Sequence, residues 1–148
     1  MSEARRVGVP TPLVRDVDRR EATVTLQHVG EADLSERLST TAARRVGELL
    51  AALHGAGIVH GDPTTRNVRV GAPGERVFLI DFGLGFHTGH VEDHAMDLHV
   101  FARSVEGTAE TPAPLVEACE AGYREAGGET AARALERLRE VEGRGRYQ

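Results

Sequence analysis

Two polar segments on either side of a short apolar run constrain this chain more than any other feature. The first, His60–Asn67, reads His-Gly-Asp-Pro-Thr-Thr-Arg-Asn, and the second, Asp81–Gly83, reads Asp-Phe-Gly and directly follows the apolar run Val77–Ile80. Such a run predicts a buried strand, and the turn residues of Gly71–Gly74 predict that it pairs with Val68–Val70. We therefore expect the hairpin to bring both polar segments to one pocket.

These segments contain the residue types that phosphoryl transfer requires. Asp62 suits a carboxylate that orients a hydroxyl or a water, whereas Asn67 and Asp81 suit oxygen ligands of Mg²⁺. Gly83 permits a sharp backbone turn after the second segment. Each piece alone is weak evidence, because an aspartate that ends a strand is often a turn former. The combination H-x-D-x₄-N, a gap of hairpin length and D-F-G predicts a phosphoryl-transfer site.

The remaining pattern predicts an α+β chain that is mostly helical toward its C-terminus. Residues 13–17 and 22–26 read as two short strands, and Asp33 as the cap of a short helix. Val46, Leu49, Leu50 and Leu53 are spaced as in a helix that Thr40 or Thr41 caps. A buried central helix is expected from His90. A further helix near 113–126 is expected to stop at Gly127-Gly128, before a last helix and a flexible tail.

Composition excludes several classes of function. The chain has 148 residues and 18 basic side chains against 23 acidic ones, for a net charge of −5. Every basic residue is arginine, which excludes a P-loop lysine and a Schiff-base lysine. The acidic balance excludes a uniformly basic nucleic-acid binder, and the apolar runs are too short for a membrane span. We expect a cytoplasmic protein whose only cysteine, Cys119, is a small buried thiol.

The segment Val59–Asn67, with Gly61 where protein kinases usually have arginine, resembles a known catalytic loop. It is similar to that of the small atypical serine/threonine kinase/ATPases of the archaeal KEOPS tRNA-modification complex, in the protein-kinase superfamily. Three further stretches share this resemblance, which covers about residues 4–148: Gly8–Pro12, Ile80–Gly85 and Val91–Leu98.

The resemblance implies a role for each matching residue. Asp62 corresponds to the catalytic base, and Asn67 and Asp81 to magnesium ligands. His60 and Asp97 correspond to residues that support the catalytic loop, and the hinge that binds adenine corresponds to Gln27, His28 and Val29. The implied cofactors are ATP and Mg²⁺. The implied partners are the KEOPS threonylcarbamoyl-transferase subunit, other KEOPS subunits and tRNA, with no membrane.

The chain also departs from the kinase pattern. It has no G-x-G-x-x-G loop before the hinge and no lysine. We therefore expect residues 1–30 to be an N-lobe remnant with the hinge, and residues 31–148 to be a kinase-like C-lobe. Thirteen residues separate Gly83 from Asp97, and no Ala-Pro-Glu follows. This segment is too short to dock a peptide, so ATP hydrolysis that supports threonylcarbamoyladenosine synthesis on tRNA fits better than protein phosphorylation.

Several alternatives remain open at this stage. The chain is either an active phosphoryl-transfer enzyme or an impaired, pseudokinase-like scaffold that docks the transferase subunit. A small-molecule kinase of aminoglycoside or choline type shares H-G-D-x₄-N, but needs larger helical inserts. The cluster of His87, His90 and His94 suggests a zinc site. Arg66 either contacts phosphate or substrate or is solvated, and Arg144 and Arg146 either contact tRNA or are solvated.

Overall fold

The computed structural model describes residues 1–72 and 76–145, with side chains as far as Gly143. The helices in these ranges are α1 (Ser2–Arg6), α2 (Thr40–Gly55), α3 (Val91–Glu106) and α4 (Ala113–Gly145). The strands are β1 (Val14–Asp18), β2 (Thr23–Leu26), β3 (Ala32–Asp33), β4 (Ile58–Val59), β5 (Val68–Gly71), β6 (Arg76–Leu79) and β7 (Phe86–His87). This order is the α+β class expected from the sequence. None of the described helices combines the length and the apolar character needed to cross a bilayer.

The described strands form small antiparallel sheets. β1 pairs with β2, β4 pairs with β7, and β5 lies between β3 and β6. In the last sheet Val68 lies opposite Leu79, and Ala32 opposite Val70. The predicted pairing of β5 with β6 and the two predicted strands near the start of the chain, β1 and β2, are confirmed. The strands β3, β4 and β7 have only two residues each, a pattern too short to be predicted. The turn between β5 and β6 includes residues 73–75, which lie outside the described ranges.

Helix α2 forms the centre of the core, as its spacing predicts. Val46, Leu50 and Leu53 on its inner face are fully buried, and this face packs mainly on α4. The predicted cap is wrong by one residue. Ser39 is the N-cap, since its Oγ accepts a hydrogen bond from the Ala42 amide at 3.1 Å.

Two glycines allow α2 and α4 to approach more closely than side chains would permit. A Cβ added at Gly47 of α2 would lie 1.9 Å from the Cys119 carbonyl oxygen of α4. A Cβ added at Gly122 of α4 would lie 2.2 Å from the Arg44 carbonyl oxygen of α2. Both obstacles are backbone atoms, so no side-chain rotation can relieve them. The two helix backbones are therefore in direct contact.

Two elements differ from the sequence prediction. Asp33 does not cap a helix, because its carboxylate pairs with Arg69 Nη1 at 2.7 Å and only a 3₁₀ turn, Leu34–Glu36, follows. Helix α3 is not buried all round: Phe101 is buried but Met96 is 50 % exposed, because packing against α4 covers one side. The predicted break at Gly127-Gly128 is confirmed, since Gly128, with φ 54° and ψ −135°, is not helical and divides α4 into two helical segments.

Candidate functional site

The loop between β4 and β5 brings the predicted catalytic carboxylate into contact with a predicted metal ligand. Asn67 Nδ2 donates to the Asp62 Oδ2 atom and to the Asp62 carbonyl oxygen, both at 2.9 Å. Because the amide nitrogen is engaged by Asp62, Asn67 Oδ1 is the atom that it can present to a cation. The arrangement fits the roles predicted for both residues, which stay predictions.

Helix α3 supports this loop from behind through Asp97. The carboxylate is 2 % exposed, and its Oδ2 and Oδ1 atoms accept hydrogen bonds from the amides of His60 at 2.7 Å and Gly61 at 2.9 Å. Gly61 has φ +86°, and a Cβ there would lie 2.3 Å from the Leu84 carbonyl oxygen. Both facts require glycine at this position of the loop.

His60 joins the loop to the segment that contains Asp81. Its Nε2 atom lies 2.8 Å from the Ile80 carbonyl oxygen, and its Nδ1 atom lies 3.3 Å from the Asp62 amide. One nitrogen faces an acceptor and the other a donor, which indicates a neutral ring protonated on Nε2. Burial lowers the pKa of His60 and so favours this neutral form. The imidazole therefore links two segments through hydrogen bonds, which fits the supporting role predicted for it and leaves that role a prediction.

The segment of Asp81 lies beside that of Asn67 because the open end of the hairpin, where β5 begins and β6 ends, brings the two together. The Ile80 amide donates to the Asn67 carbonyl oxygen at 3.0 Å, so the backbone that leads into Asp81 runs alongside the loop. Asp81 has φ +58°, a left-handed conformation that costs on the order of 1–3 kcal/mol for a residue other than glycine. Strain of this kind is typical of functional positions, and the exposed Asp81 carboxylate accepts a hydrogen bond through Oδ1 from the Gly83 amide at 3.2 Å.

The three predicted hinge residues line one cavity together with the residue that precedes the second polar segment. The cavity has a volume of about 280 Å³. Gln27, His28 and Val29 line it, as do Leu26, which precedes them, and Ile80. The cavity thus includes the residue next in sequence to Asp81, a predicted metal ligand.

The remaining predicted residues do not form a second site. His87 Nε2 pairs with Glu3 Oε2 at 3.0 Å, whereas His94 is buried and stacks on His54 at 4.4 Å between ring centroids. The described residues contain no group of three or more His, Cys, Asp or Glu side chains arranged for a metal, so the structure does not bring this histidine cluster together. Cys119 is buried, as predicted, and burial raises the pKa of its thiol.

The side chains of the two arginines predicted to contact tRNA are not among the described ones. The backbone is helical to Gly145, so the described part of the predicted tail is the end of α4. The Arg144 side chain and the whole of Arg146 lie outside the described part of the chain. Arg66 is exposed, so the structure leaves both of its alternatives open.

Sequence reasoning missed two groups that hold the loop. The first is Thr65, which is 1 % exposed and bound to Ser104 of α3. Its amide donates to Ser104 Oγ at 2.9 Å, and its Oγ1 atom shares a hydrogen bond of 3.0 Å with the same oxygen. Behind Asp97, His54 Nε2 lies 3.0 Å from Asp97 Oδ2, and His54 Nδ1 lies 2.7 Å from the Tyr123 hydroxyl. Tyr123 falls on the apolar face of α4, where its spacing indicates only a core residue.

Comparison with known proteins gives consistent matches. Residues 13–123 match the lipopolysaccharide kinase (Kdo/WaaP) family. The probable bifunctional tRNA threonylcarbamoyladenosine biosynthesis protein of Halobacterium salinarum is 63 % identical over 147 residues, which cover 99 % of this chain and 27 % of that protein. The probable serine/threonine-protein kinase BUD32 homolog of Archaeoglobus fulgidus is 38 % identical over 147 residues, covering 99 % of this chain and 72 % of that protein.

The coverage differs between these relatives. The chain spans about a quarter of the bifunctional protein but most of the kinase homolog. Among solved structures, WaaP in complex with acyl carrier protein superposes with a TM-score of 0.62 at 18 % identity, over 96 % of this chain and 74 % of that one. At this identity the likeness concerns the fold.

Proposed function

Because the chain belongs to the lipopolysaccharide kinase (Kdo/WaaP) family and is a homolog of the BUD32 kinases, we propose that it catalyses phosphoryl transfer from ATP. It would act with Mg²⁺ as an atypical serine/threonine kinase or ATPase. The observation that supports the proposal most directly is that the two polar segments meet. Asn67 contacts Asp62 at 2.9 Å, and the hydrogen bond from the Ile80 amide to the Asn67 carbonyl oxygen holds the segment of Asp81 beside this loop.

Each of these side chains suits one part of the reaction. Asp62 orients the hydroxyl or water that attacks the terminal phosphorus, and accepts its proton. Asn67 Oδ1 and the Asp81 carboxylate would hold Mg²⁺, which completes its coordination with phosphate oxygens and water. When bound, the metal supplies the positive charge that offsets the developing charge on the phosphates. His60 and Asp97 keep the loop in place but do not touch the reacting atoms.

The backbone of the proposed hinge has the polarity that adenine requires. The Gln27 amide donates to the Leu13 carbonyl oxygen at 2.8 Å, and the Val29 carbonyl oxygen accepts from Arg69 Nε at 3.1 Å. No described residue pairs with the Gln27 carbonyl oxygen or the Val29 amide, so one acceptor and one donor remain at the cavity. Adenine offers the matching pair, an amino donor next to a ring-nitrogen acceptor.

We propose that this activity supports threonylcarbamoyladenosine modification of tRNA in the cytoplasm, as part of a KEOPS complex. The name of the Halobacterium salinarum relative supports the role in tRNA modification, and the name of the Archaeoglobus fulgidus relative supports the kinase activity. In the structure, the segment after Gly83 is used for β7, which pairs with β4, and α3 begins at Val91. This short connection favours hydrolysis coupled to a transferase partner over phosphorylation of a docked peptide.

Residues 1–30 would then be the N-lobe remnant with the hinge, and residues 31–148 the C-lobe. The sequence has no lysine to contact the phosphates, and the described residues include no glycine-rich phosphate loop. That observation favours a second candidate function, a catalytically impaired scaffold that docks the KEOPS transferase subunit. The two candidates differ in whether the chain turns over ATP.

Asp81→Asn provides the test of the enzymatic role. The substitution removes one negative charge from the proposed metal site, so we expect Mg²⁺-dependent ATP turnover to fall about 100-fold. Turnover and Mg·ATP binding are measured by phosphate release and calorimetry, with circular dichroism to confirm folding.

Asp16→Asn is the matched control, since Asp16 is an exposed aspartate on β1 away from the cavity. It should leave turnover unchanged. Equal turnover in Asp81→Asn and the wild type would contradict the proposed metal site. If the wild type binds Mg·ATP but shows no turnover, alone or with the transferase partner, the scaffold replaces the enzyme as the function.

A further inference from the structure

A chain of buried polar groups connects helix α4 to the back of the catalytic loop. Tyr123 of α4, His54 of α2 and Asp97 of α3 are each 3 % exposed or less. The Tyr123 hydroxyl lies 2.7 Å from His54 Nδ1, and His54 Nε2 lies 3.0 Å from Asp97 Oδ2. Nothing in the proposed chemistry requires Tyr123, yet its hydroxyl, the only polar group of the side chain, contacts His54.

The chemistry of the three groups determines the direction of their hydrogen bonds. A carboxylate accepts and cannot donate, so His54 Nε2 must bear the hydrogen that faces Asp97. For a neutral ring, Nδ1 is then an acceptor, and the Tyr123 O–H is its donor. Burial raises the pKa of Tyr123, so the hydroxyl keeps this hydrogen. Asp97 thereby fixes the Nε2–H tautomer of His54, and the Tyr123 hydroxyl is the buried partner of the nitrogen that this tautomer leaves as an acceptor.

Asp97 passes this constraint to the loop. Its Oδ2 atom accepts from both His54 Nε2 and the His60 amide, and its Oδ1 atom accepts from the Gly61 amide. With His54 in the other tautomer, a lone pair would face Oδ2 at 3.0 Å and repel the carboxylate. Asp97 would then rotate, and the residue that follows Gly61, Asp62, would lose its fixed position.

The His54 ring itself cannot turn to avoid this requirement. His94 of α3 stacks on it nearly in parallel, with an interplanar angle of 7°, and Tyr123 meets it edge-on at 72°. The ring is held in one plane, and a flip within that plane would take Nδ1 away from the Tyr123 hydroxyl and Nε2 away from Asp97.

We propose that Tyr123 is a positioning residue for the catalytic loop, which it orders by pairing with His54 Nδ1 so that His54 Nε2–H stays directed at Asp97. The assignment of a catalytic role to this loop rests on the proposed function. The hydrogen-bond relay can be tested without any turnover, because it predicts a spectroscopic state of His54 and the protection of two loop amides.

Tyr123→Phe removes only the hydroxyl, and Cys119→Ala is the matched control. Cys119 lies one turn earlier on α4 and is also buried, and its thiol, although near Tyr123, makes no hydrogen bond to the relay groups. At 16.0 kDa the whole chain suits solution NMR, in which imidazole ¹⁵N shifts report the tautomer and hydrogen exchange reports the His60 and Gly61 amides.

In the wild type and in Cys119→Ala we expect a neutral His54 protonated on Nε2. In Tyr123→Phe the buried His54 Nδ1 atom has no donor, so we expect its ¹⁵N shift to move toward that of a nitrogen without a hydrogen bond, and the His60 and Gly61 amides to exchange about fivefold to tenfold faster relative to amides of α2. Where ATP turnover is measurable, kcat should fall about fivefold with KM for Mg·ATP unchanged.

Two results would overturn the proposal. One is a wild-type His54 protonated on Nδ1. The other is a Tyr123→Phe variant whose His54 ¹⁵N shifts and amide exchange match those of Cys119→Ala, which would make Tyr123 an ordinary core residue. If the relay behaves as expected while the wild type turns over no ATP, the proposed enzymatic function fails and the positioning of the loop stands.

Discussion

The two hairpins of this molecule have similar strand patterns but different surroundings. In the β5–β6 hairpin, Val68 and Leu79 are 0 % exposed and lie against the helical core. In the β1–β2 hairpin, Val17 and Val24 are 54 % and 57 % exposed, although they face each other across the strands. Apolar residues on strands therefore indicate that a hairpin forms, but not that the rest of the chain covers it.

The proposed nucleotide cavity lies where these two regions meet. Its lining includes Leu26 at the end of the exposed hairpin and Ile80 just beyond the buried one. Asp62, Asn67 and Asp81 all belong to the buried side. The proposed metal and catalytic residues thus lie next to a packed hairpin. Part of the cavity proposed to bind adenine is instead lined by a hairpin that is largely exposed among the described residues.

Leu79→Ala should give the largest difference between the two hairpins. Deleting this fully buried side chain should lower the free energy of unfolding by about 2–5 kcal/mol, since it removes packing and leaves a cavity. Leu26→Ala, at a position that is 39 % exposed, should cost less than about 1 kcal/mol. Urea denaturation followed by circular dichroism measures both, and similar losses would mean that the exposed hairpin is covered in solution.

Gly61→Ala tests whether the tight packing extends into the catalytic loop. We expect a loss of about 1–3 kcal/mol, because the added methyl meets the Leu84 carbonyl oxygen in a left-handed backbone conformation. Gly89→Ala is the control, since a Cβ there meets nothing within 4 Å. Thermal unfolding compares the two, and an unchanged midpoint in Gly61→Ala would show that the loop can move away from Leu84.

The buried histidines should make the packed region sensitive to acid. Burial, with a smaller effect of His54, lowers the pKa of His94 from its ordinary value of 6.5. The unfolded chain therefore binds this proton at a higher pH than the folded one. Stability is complete above about pH 6.5 and falls as the pH drops toward the folded pKa, by at most about 1.4 kcal/mol per pH unit for one such group.

Replacing His94 with phenylalanine removes this proton site but keeps a ring that can stack on His54. The free energy of unfolding, measured by urea titration from pH 7.5 to 5, should fall less steeply in this variant than in the wild type. His87→Gln removes an exposed imidazole instead and should leave the slope unchanged. A wild-type slope in the His94 variant would assign the acid sensitivity to other groups, such as His60.

The parts of the fold that sequence predicts are those specified by local patterns. Helix α2, both hairpins and the placement of Asp81 just beyond a buried strand follow from periodicity and turn residues. The Ser39 cap was missed by one position because three consecutive hydroxyl residues, Ser39 to Thr41, can each cap a helix. Which of them does so depends on where packing starts the helix.

The parts that sequence does not predict depend on contacts between distant segments. Asp33 caps nothing because Arg69, 36 residues later, provides a stronger partner. Tyr123 and His54 are 69 residues apart, and neither belongs to a motif. The candidate site divides in the same way: the residues that would meet the ligand form a recognisable pattern, whereas the residues that hold them do not.

The glycine contact between α2 and α4 has a consequence for the far end of the site. Gly122 immediately precedes Tyr123, and Gly47 lies two turns before His54 on the facing helix. Because the two backbones are in contact, the Tyr123 hydroxyl can reach His54 at 2.7 Å. A methyl group at either glycine would push the helices apart and lengthen this hydrogen bond. The proposed alignment of Asp62 therefore depends on two positions that have no side chain.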